Sequence, residues 1–172
     1  MGFLRRDKSD DEGLRFQMRQ RMLSIGDDYW IENSDGVKTF KVDGKALRIR
    51  DTWTLQDERG RELATIREKK LSIRDKIKIE LAGGQEANVK KALVGFRDRF
   101  VVDVEDGPDL KVHGNIVDHE YEIDRDGHKI AEISKKWFRV RDTYGVEVYD
   151  PMATVLILAV TVAVDAMSHE VA

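Results

Sequence analysis

A repeat hidden in the chain restricts its fold more than any other feature. Five segments end alike: Leu23-Ser24-Ile25-Gly26-Asp27, Leu47-Arg48-Ile49-Arg50-Asp51, Leu71-Ser72-Ile73-Arg74-Asp75, Val94-Gly95-Phe96-Arg97-Asp98 and Phe138-Arg139-Val140-Arg141-Asp142. Asn115-Ile116-Val117-Asp118 is a weaker sixth copy, and successive closing aspartates stand 24, 24, 23, 20 and 24 positions apart. Self-similarity at a fixed short period means that one supersecondary unit is being copied. Each unit reads as two strands. One ends at the Arg-Asp corner, where Asp initiates a turn by bonding nearby backbone. The other alternates apolar and polar residues, as in Ile77, Ile79 and Leu81, the period of a half-buried strand. A hairpin signal then follows at Asp35-Gly36, Arg59-Gly60, Gly83-Gly84, Asp106-Gly107 or Asp126-Gly127. Six units over residues 14–149 predict twelve strands, and short turns throughout make the meander antiparallel.

Two strands carry an apolar face that changes parity. Ile66 is even while Leu71 and Ile73 are odd, and Ala131 and Ile133 are odd while Phe138 and Val140 are even. Such a switch predicts a bulge or sharp bend near Lys69 and near Lys136, which a closing barrel needs.

Residues 151–168 differ from everything before them: Pro-Met-Ala-Thr-Val-Leu-Ile-Leu-Ala-Val-Thr-Val-Ala-Val-Asp-Ala-Met-Ser. Asp150 suits a cap and Pro151 a first helical position. The predicted helix is apolar on nearly every side, so it lies inside protein or lipid. Asp165 interrupts it soon after Ala163 and no basic anchor follows, which favours a core helix over a membrane span. Twelve strands tilted by about 40° enclose a ring of radius roughly 12 Å. A helix packs at an axial distance of about 8–10 Å, so the helix fits as the filling of the ring. The expected fold is a closed twelve-stranded antiparallel β-barrel around a buried C-terminal helix, one domain over residues 13–172. The charged residues 1–12 read as a flexible tail. They lack the apolar run of a secretory signal, and Arg6 breaks the myristoylation pattern.

Four segments also resemble a known family: Ser24-Ile25-Gly26-Asp27-Asp28-Tyr29-Trp30-Ile31, Val42-Asp43-Gly44-Lys45-Ala46-Leu47, Gly114-Asn115-Ile116-Val117-Asp118-His119-Glu120-Tyr121 and Ser134-Lys135-Lys136-Trp137-Phe138. They are similar to the LURP-one-related (YxjI-like) family, grouped with tubby C-terminal and phospholipid scramblase domains. The resemblance implies a twelve-stranded barrel around a central helix. It also implies a link to phosphoinositides or membranes through the tubby and scramblase relatives. No stretch matches the scramblase calcium motif, where Asp150 stands alone before the helix, and no tubby lipid motif can be placed.

Function is less legible. Thirty basic and 33 acidic residues give a net charge of −3, without the basic excess that nucleic-acid binding requires. There is no cysteine, so no disulfide or thiolate chemistry, which suits the cytoplasm. His113, His119, His128 and His169 form no zinc spacing. His119-Glu120 stands at a repeat corner, where a structural role outweighs acid–base chemistry. Asp124, Asp126 and Gly127 read as a hairpin rather than a calcium loop. A filled barrel offers no obvious substrate pocket, so a non-enzyme with no catalytic residue, cofactor or metal is expected.

Basic residues recur with the repeat: Lys69-Lys70, Lys90-Lys91, Lys135-Lys136, then Arg50, Arg74, Arg97 and Arg141. In a closed ring they gather along one rim, where they either pair with neighbouring carboxylates or hold an anionic headgroup. Trp137 shares the parity of Arg139 and Arg141 and is expected to point outward, as at a membrane interface. Trp137, Arg139, Arg141, Lys135 and Lys136 are the candidate anion-binding residues. The expected partner is an anionic phospholipid or membrane surface, with a protein-interaction scaffold as the alternative.

Overall fold

The computed structural model describes residues 13–19, 28–44, 52–69, 76–92, 99–138 and 142–169. Twelve strands follow one another: β1 (Leu14–Arg19), β2 (Tyr29–Asn33), β3 (Lys38–Asp43), β4 (Thr52–Asp57), β5 (Glu62–Lys69), β6 (Lys76–Leu81), β7 (Glu86–Lys91), β8 (Arg99–Val104), β9 (Leu110–Asn115), β10 (Glu120–Arg125), β11 (His128–Ser134) and β12 (Thr143–Val148). Each pairs with its sequence neighbour, and β1 closes the ring on β12 with Leu14 opposite Val148 and Arg19 opposite Thr143. Closure leaves no open sheet edge.

All five expected hairpins form, for a local reason. Gly36 and Gly127 have φ of 76° and 78°, a left-handed conformation that glycine reaches without strain. Asn33 and Asp57 tighten two of the turns, their carboxamide and carboxylate oxygens accepting from Asp35 N and Arg59 N. Register shifts occur at Ile31/Glu32, Leu55/Gln56 and Ile123/Asp124, beside the hairpins. Of the two expected parity switches, the one near Lys136 is a break in the strand. β11 ends at Ser134, and residues 135–137 form a bend and turn. The one near Lys69 falls on residues 70–75, outside the described residues.

Inward positions are mostly apolar, from Ile31 and Val42 through Ile66, Ile79, Val89 and Val102 to Ile133 and Val146, with Glu68 a buried exception on β5. Their common partner is α1 (Thr154–His169), preceded by a 3-10 turn at Pro151–Ala153 whose cap, Asp150, accepts from Met152 N. Every residue from Ile157 to Met167 is buried. Pro151–Ser168 is long and apolar enough to cross a membrane, and 72% of it is buried inside the protein. The helix is the core of the barrel.

β12 departs from the alternating pattern, since all six of its residues are buried. Tyr144, Val146 and Val148 face the helix. On the outer side Trp137 and Phe138 lie flat over Gly145, where a Cβ would come within 2.6 Å of Trp137 Cε3 and 2.8 Å of Phe138 Cε2. Glycine is needed there so that the two rings can lie against the strand.

Candidate functional site

The barrel has two dissimilar ends. At the hairpin end Asp35, Glu58, Glu62, Glu105, Asp106, Asp109 and Asp126 crowd the turns. At the opposite end, which carries the repeat corners, strands finish on Arg19, Lys69 and Lys91 or begin on Lys76, with Lys135 and Lys136 beyond β11. None of these six cations makes an ion pair among the described residues. Several cations elsewhere are neutralised: Lys41 lies 3.1 Å from Asp28, Arg61 2.8 Å from Asp57, and Lys78 between Glu80 and Glu86 at 3.2 and 2.9 Å. Each pairing leaves its mark. The bond to Lys41 lowers the Asp28 carboxyl, and bonds to Glu86 and Glu80 raise the Lys78 ammonium.

Trp137 lies outside the barrel as expected, but half-buried rather than exposed. It sits in a turn and not in a strand, and its ring is pressed on Gly145 while the Arg15 guanidinium stacks 5.0 Å from its centroid. Lys135 is half-buried, and its backbone N–H donates to Glu120; Lys136 is exposed, and its N–H donates to Ser134 Oγ. These bonds fix the backbone of the turn, and neither ammonium group makes an ion pair among the described residues. Arg139 and Arg141, together with the rim residues Arg50, Arg74 and Arg97, lie outside the described residues, as do Lys70 and the side chain of His169.

Residue types alone do not reveal a second basic feature. Register places Lys69 opposite Lys76, and Lys76 opposite Lys90, on three adjacent strands. Arg67 stands opposite Lys78 one position along. All point outward, because Ile66, Ile77, Ile79 and Val89 point in. Lys90 is bonded to Asp103.

The outer faces of β9 to β12 carry the reverse. Glu122, Glu132 and Glu147 stand in one cross-strand row. Lys129 lies 3.3 Å from Glu122 and 3.0 Å from Glu132, and the Tyr149 hydroxyl donates to Glu132 at 3.1 Å. Burial, and then the charge of Glu147, pushes that phenol up to about 12. Donor atoms of His113, Glu122 and Asp124 lie within 4.8 Å of one another, yet His113 Nε2 is already 2.6 Å from Asp124. Lys129 supplies the positive charge that a cation would bring.

Inside the corner end lies a buried polar cluster that sequence reasoning missed. Asp165, on α1, is bonded to the Tyr144 hydroxyl. The His119 ring stacks on Tyr144 at 4.3 Å. Its Nε2 is 3.2 Å from Asp165 Oδ1, an approach out of line for a hydrogen bond. Burial, reinforced by the charge of Asp165, pushes the Tyr29, Tyr121 and Tyr144 phenols well above their usual range. The Tyr29 hydroxyl and His119 Nδ1 have no hydrogen-bond partner among the described residues. His119 itself has φ of 53°, bent inward by its corner turn. The one signal in the sequence was an acidic residue within an otherwise apolar helix.

At the hairpin end a cavity of about 180 Å³ opens beside the helix, walled by Leu81, Val104, Leu110, Val155 and Leu156. Arg125 and Asp150 close its edge as an ion pair that holds the Asp150 carboxyl below its usual range. Met152, 98% exposed, stands at its mouth. No residue pattern announces this cavity, and a filled barrel was expected to have none.

A closed antiparallel ring filled by an apolar helix defines the class of protein. The sequence profile of the LURP-one-related family matches residues 14–165, and the chain belongs to that family. It is 26% identical over 149 residues to the uncharacterised protein YxjI of Bacillus subtilis, which spans 86% of this chain and 90% of YxjI. Its fold is shared with the X-ray structure of a protein from Arabidopsis thaliana. The two match with a TM-score of 0.61 at 14% identity, over 88% of this chain and 90% of the other.

Proposed function

We propose that the domain is a non-enzymatic binding module of the cytoplasm that meets anionic phospholipid headgroups at a membrane surface through the basic rim of its corner end. The observation that carries this reading is the segregation of free cations. Arg19, Lys69, Lys76, Lys91, Lys135 and Lys136 gather at one end of the barrel without ion-pair partners among the described residues, while carboxylates crowd the turns of the other. A molecule polarised in this way approaches an anionic surface with its corner end first. Trp137, half-buried on the outer wall against Gly145 and Arg15, supports the reading as an aromatic side chain of the kind that lines membrane interfaces. Each juxtamembrane cation contributes about 1 kcal/mol near such a surface.

The test is pelleting with vesicles of phosphatidylcholine containing phosphatidylserine. The protein pellets at low salt and is released as salt rises, and the pair Lys135→Glu with Lys136→Glu weakens pelleting at least tenfold. No pelleting of the wild type at low salt removes the reading.

One observation favours a second reading, a protein-interaction scaffold. Exposed Met152 beside the apolar cavity of the hairpin end suits an apolar side chain of a partner. Association through that end would persist in high salt and be abolished by Met152→Asp.

A further inference from the structure

The chain enters β1 beside the start of the helix. Gly13 is pressed against the end of β12, where a Cβ on it would come within 2.6 Å of Val148 O and 3.0 Å of Tyr149 Cδ1. Directly after Tyr149 come Asp150, on the edge of the hairpin-end cavity, and Met152, at its mouth. Residues 1–12 are therefore tethered within reach of that cavity. Leu4 stands nine positions before Gly13 (13 − 4), a length of chain that extends to about 30 Å. Arg125, on the cavity's edge, ends β10, two strands from β12, a separation of roughly 10 Å.

The segment and the cavity match in chemistry. Phe3-Leu4 is an apolar pair, and Arg5-Arg6 follow at once. Residues 3–8 carry a charge of +2, from Arg5, Arg6 and Lys8 less Asp7. The cavity walls are apolar, Val104, Leu110, Val155 and Leu156 among them. Its volume of about 180 Å³ suits one aromatic ring, since an apolar cavity of about 150 Å³ takes benzene. Glu105, Asp106 and Asp109 stand on the turn between Val104 and Leu110, all exposed and without ion-pair partners among the described residues. Apolar wall and an exposed methionine side by side gain from being covered, and cations next to the covering group find carboxylates around it. We propose that residues 1–12 dock on the hairpin end of their own barrel, with the Phe3 ring in the cavity, Leu4 against Met152, and Arg5 and Arg6 facing the carboxylates of the β8–β9 turn. The site lies at the end opposite the basic rim, so it goes beyond the membrane reading and does not depend on it. A partner that uses the cavity has to displace the segment first.

Because the chain has no cysteine, a nitroxide placed on Gly2→Cys labels one position of the full chain. Isotope-labelled methionine methyl groups report its position by line broadening. The Met152 signal broadens, while those of Met18 and Met167, buried toward the corner end, stay sharp. Phe3→Asp with Leu4→Asp removes the apolar occupant and lowers the broadening about tenfold. Arg5→Glu with Arg6→Glu lowers it too, and salt weakens it in the wild-type background. A Met152 signal that stays sharp, or one equally broad in the Phe3 and Leu4 double variant, overturns the proposal. Broadening seen only when nitroxide and isotope sit on separate copies puts a second copy on the cavity and overturns it as well. Each of these failures leaves the membrane reading standing.

Discussion

The two ends of the barrel solve the same closure problem by different means. At the hairpin end each unit is self-sufficient. A turn with glycine in the left-handed region joins the two strands at four hairpins and Asp106 takes that conformation at the fifth, and the helix starts on its own cap, Asp150. The interior there is apolar, with Val104, Leu110, Val155 and Leu156 meeting around the first helical turn. At the corner end, closure depends on residues far apart in sequence. Tyr29, His119 with Tyr121, Tyr144 and Asp165 come from four separate parts of the chain and share one buried polar site. Local rules hold one end and a long-range network holds the other. The end with the network is also the end whose cations lack ion-pair partners among the described residues, the end proposed above to meet a membrane.

The largest effect is expected from moving charge to the apolar part of the helix. Val160→Asp buries a carboxylate with no partner, a cost of at least about 5 kcal/mol, and the variant should lack a cooperative urea transition. If it folds normally, the interior is not the dry core described here. Alkali sharpens the contrast without mutation. The three interior tyrosines have raised values in the folded protein, so their contribution is complete below the unfolded value of about 10 and is lost as pH rises above it. Each then removes up to about 1.4 kcal/mol per pH unit. Urea melts between pH 9 and 11 should show a steep decline that becomes shallower in Tyr29→Phe. Asp165→Asn breaks the network while keeping its shape, and a loss of about 3 kcal/mol is expected. A change below 1 kcal/mol would mean that the cluster is not cooperative. At the other end, Gly36→Ala places a methyl group on a φ of 76° and should cost only about 1 kcal/mol, with the fold intact by circular dichroism.

The contrast also explains what the sequence revealed. Twelve strands, five hairpins and the helix were legible because alternation, turn residues and all-round apolarity are local signals that the repeat copies six times. The face of Trp137 was legible only in part. Parity assumed a continuing strand, whereas the chain turns after Ser134 and lays the ring on Gly145, a contact between two strands that no spacing announces. The lysine row was visible as residue types but not as a row, because facing positions depend on register across two hairpins. The polar cluster was illegible for the same reason on a larger scale. Its members lie up to 136 positions apart, from Tyr29 to Asp165, and only closure of the ring brings them together.

That closure has a consequence for how the protein comes into being. β1 completes its pairing only with β12, and α1 follows β12 in the chain. A ribosome therefore releases eleven strands before the first has its second neighbour, and the filling emerges only after the twelfth. Until then a half-built sheet exposes greasy inner faces and two unpaired margins, a slow and aggregation-exposed path in vivo. Synthesis of this domain should depend on chaperones to a degree that its small size would not suggest.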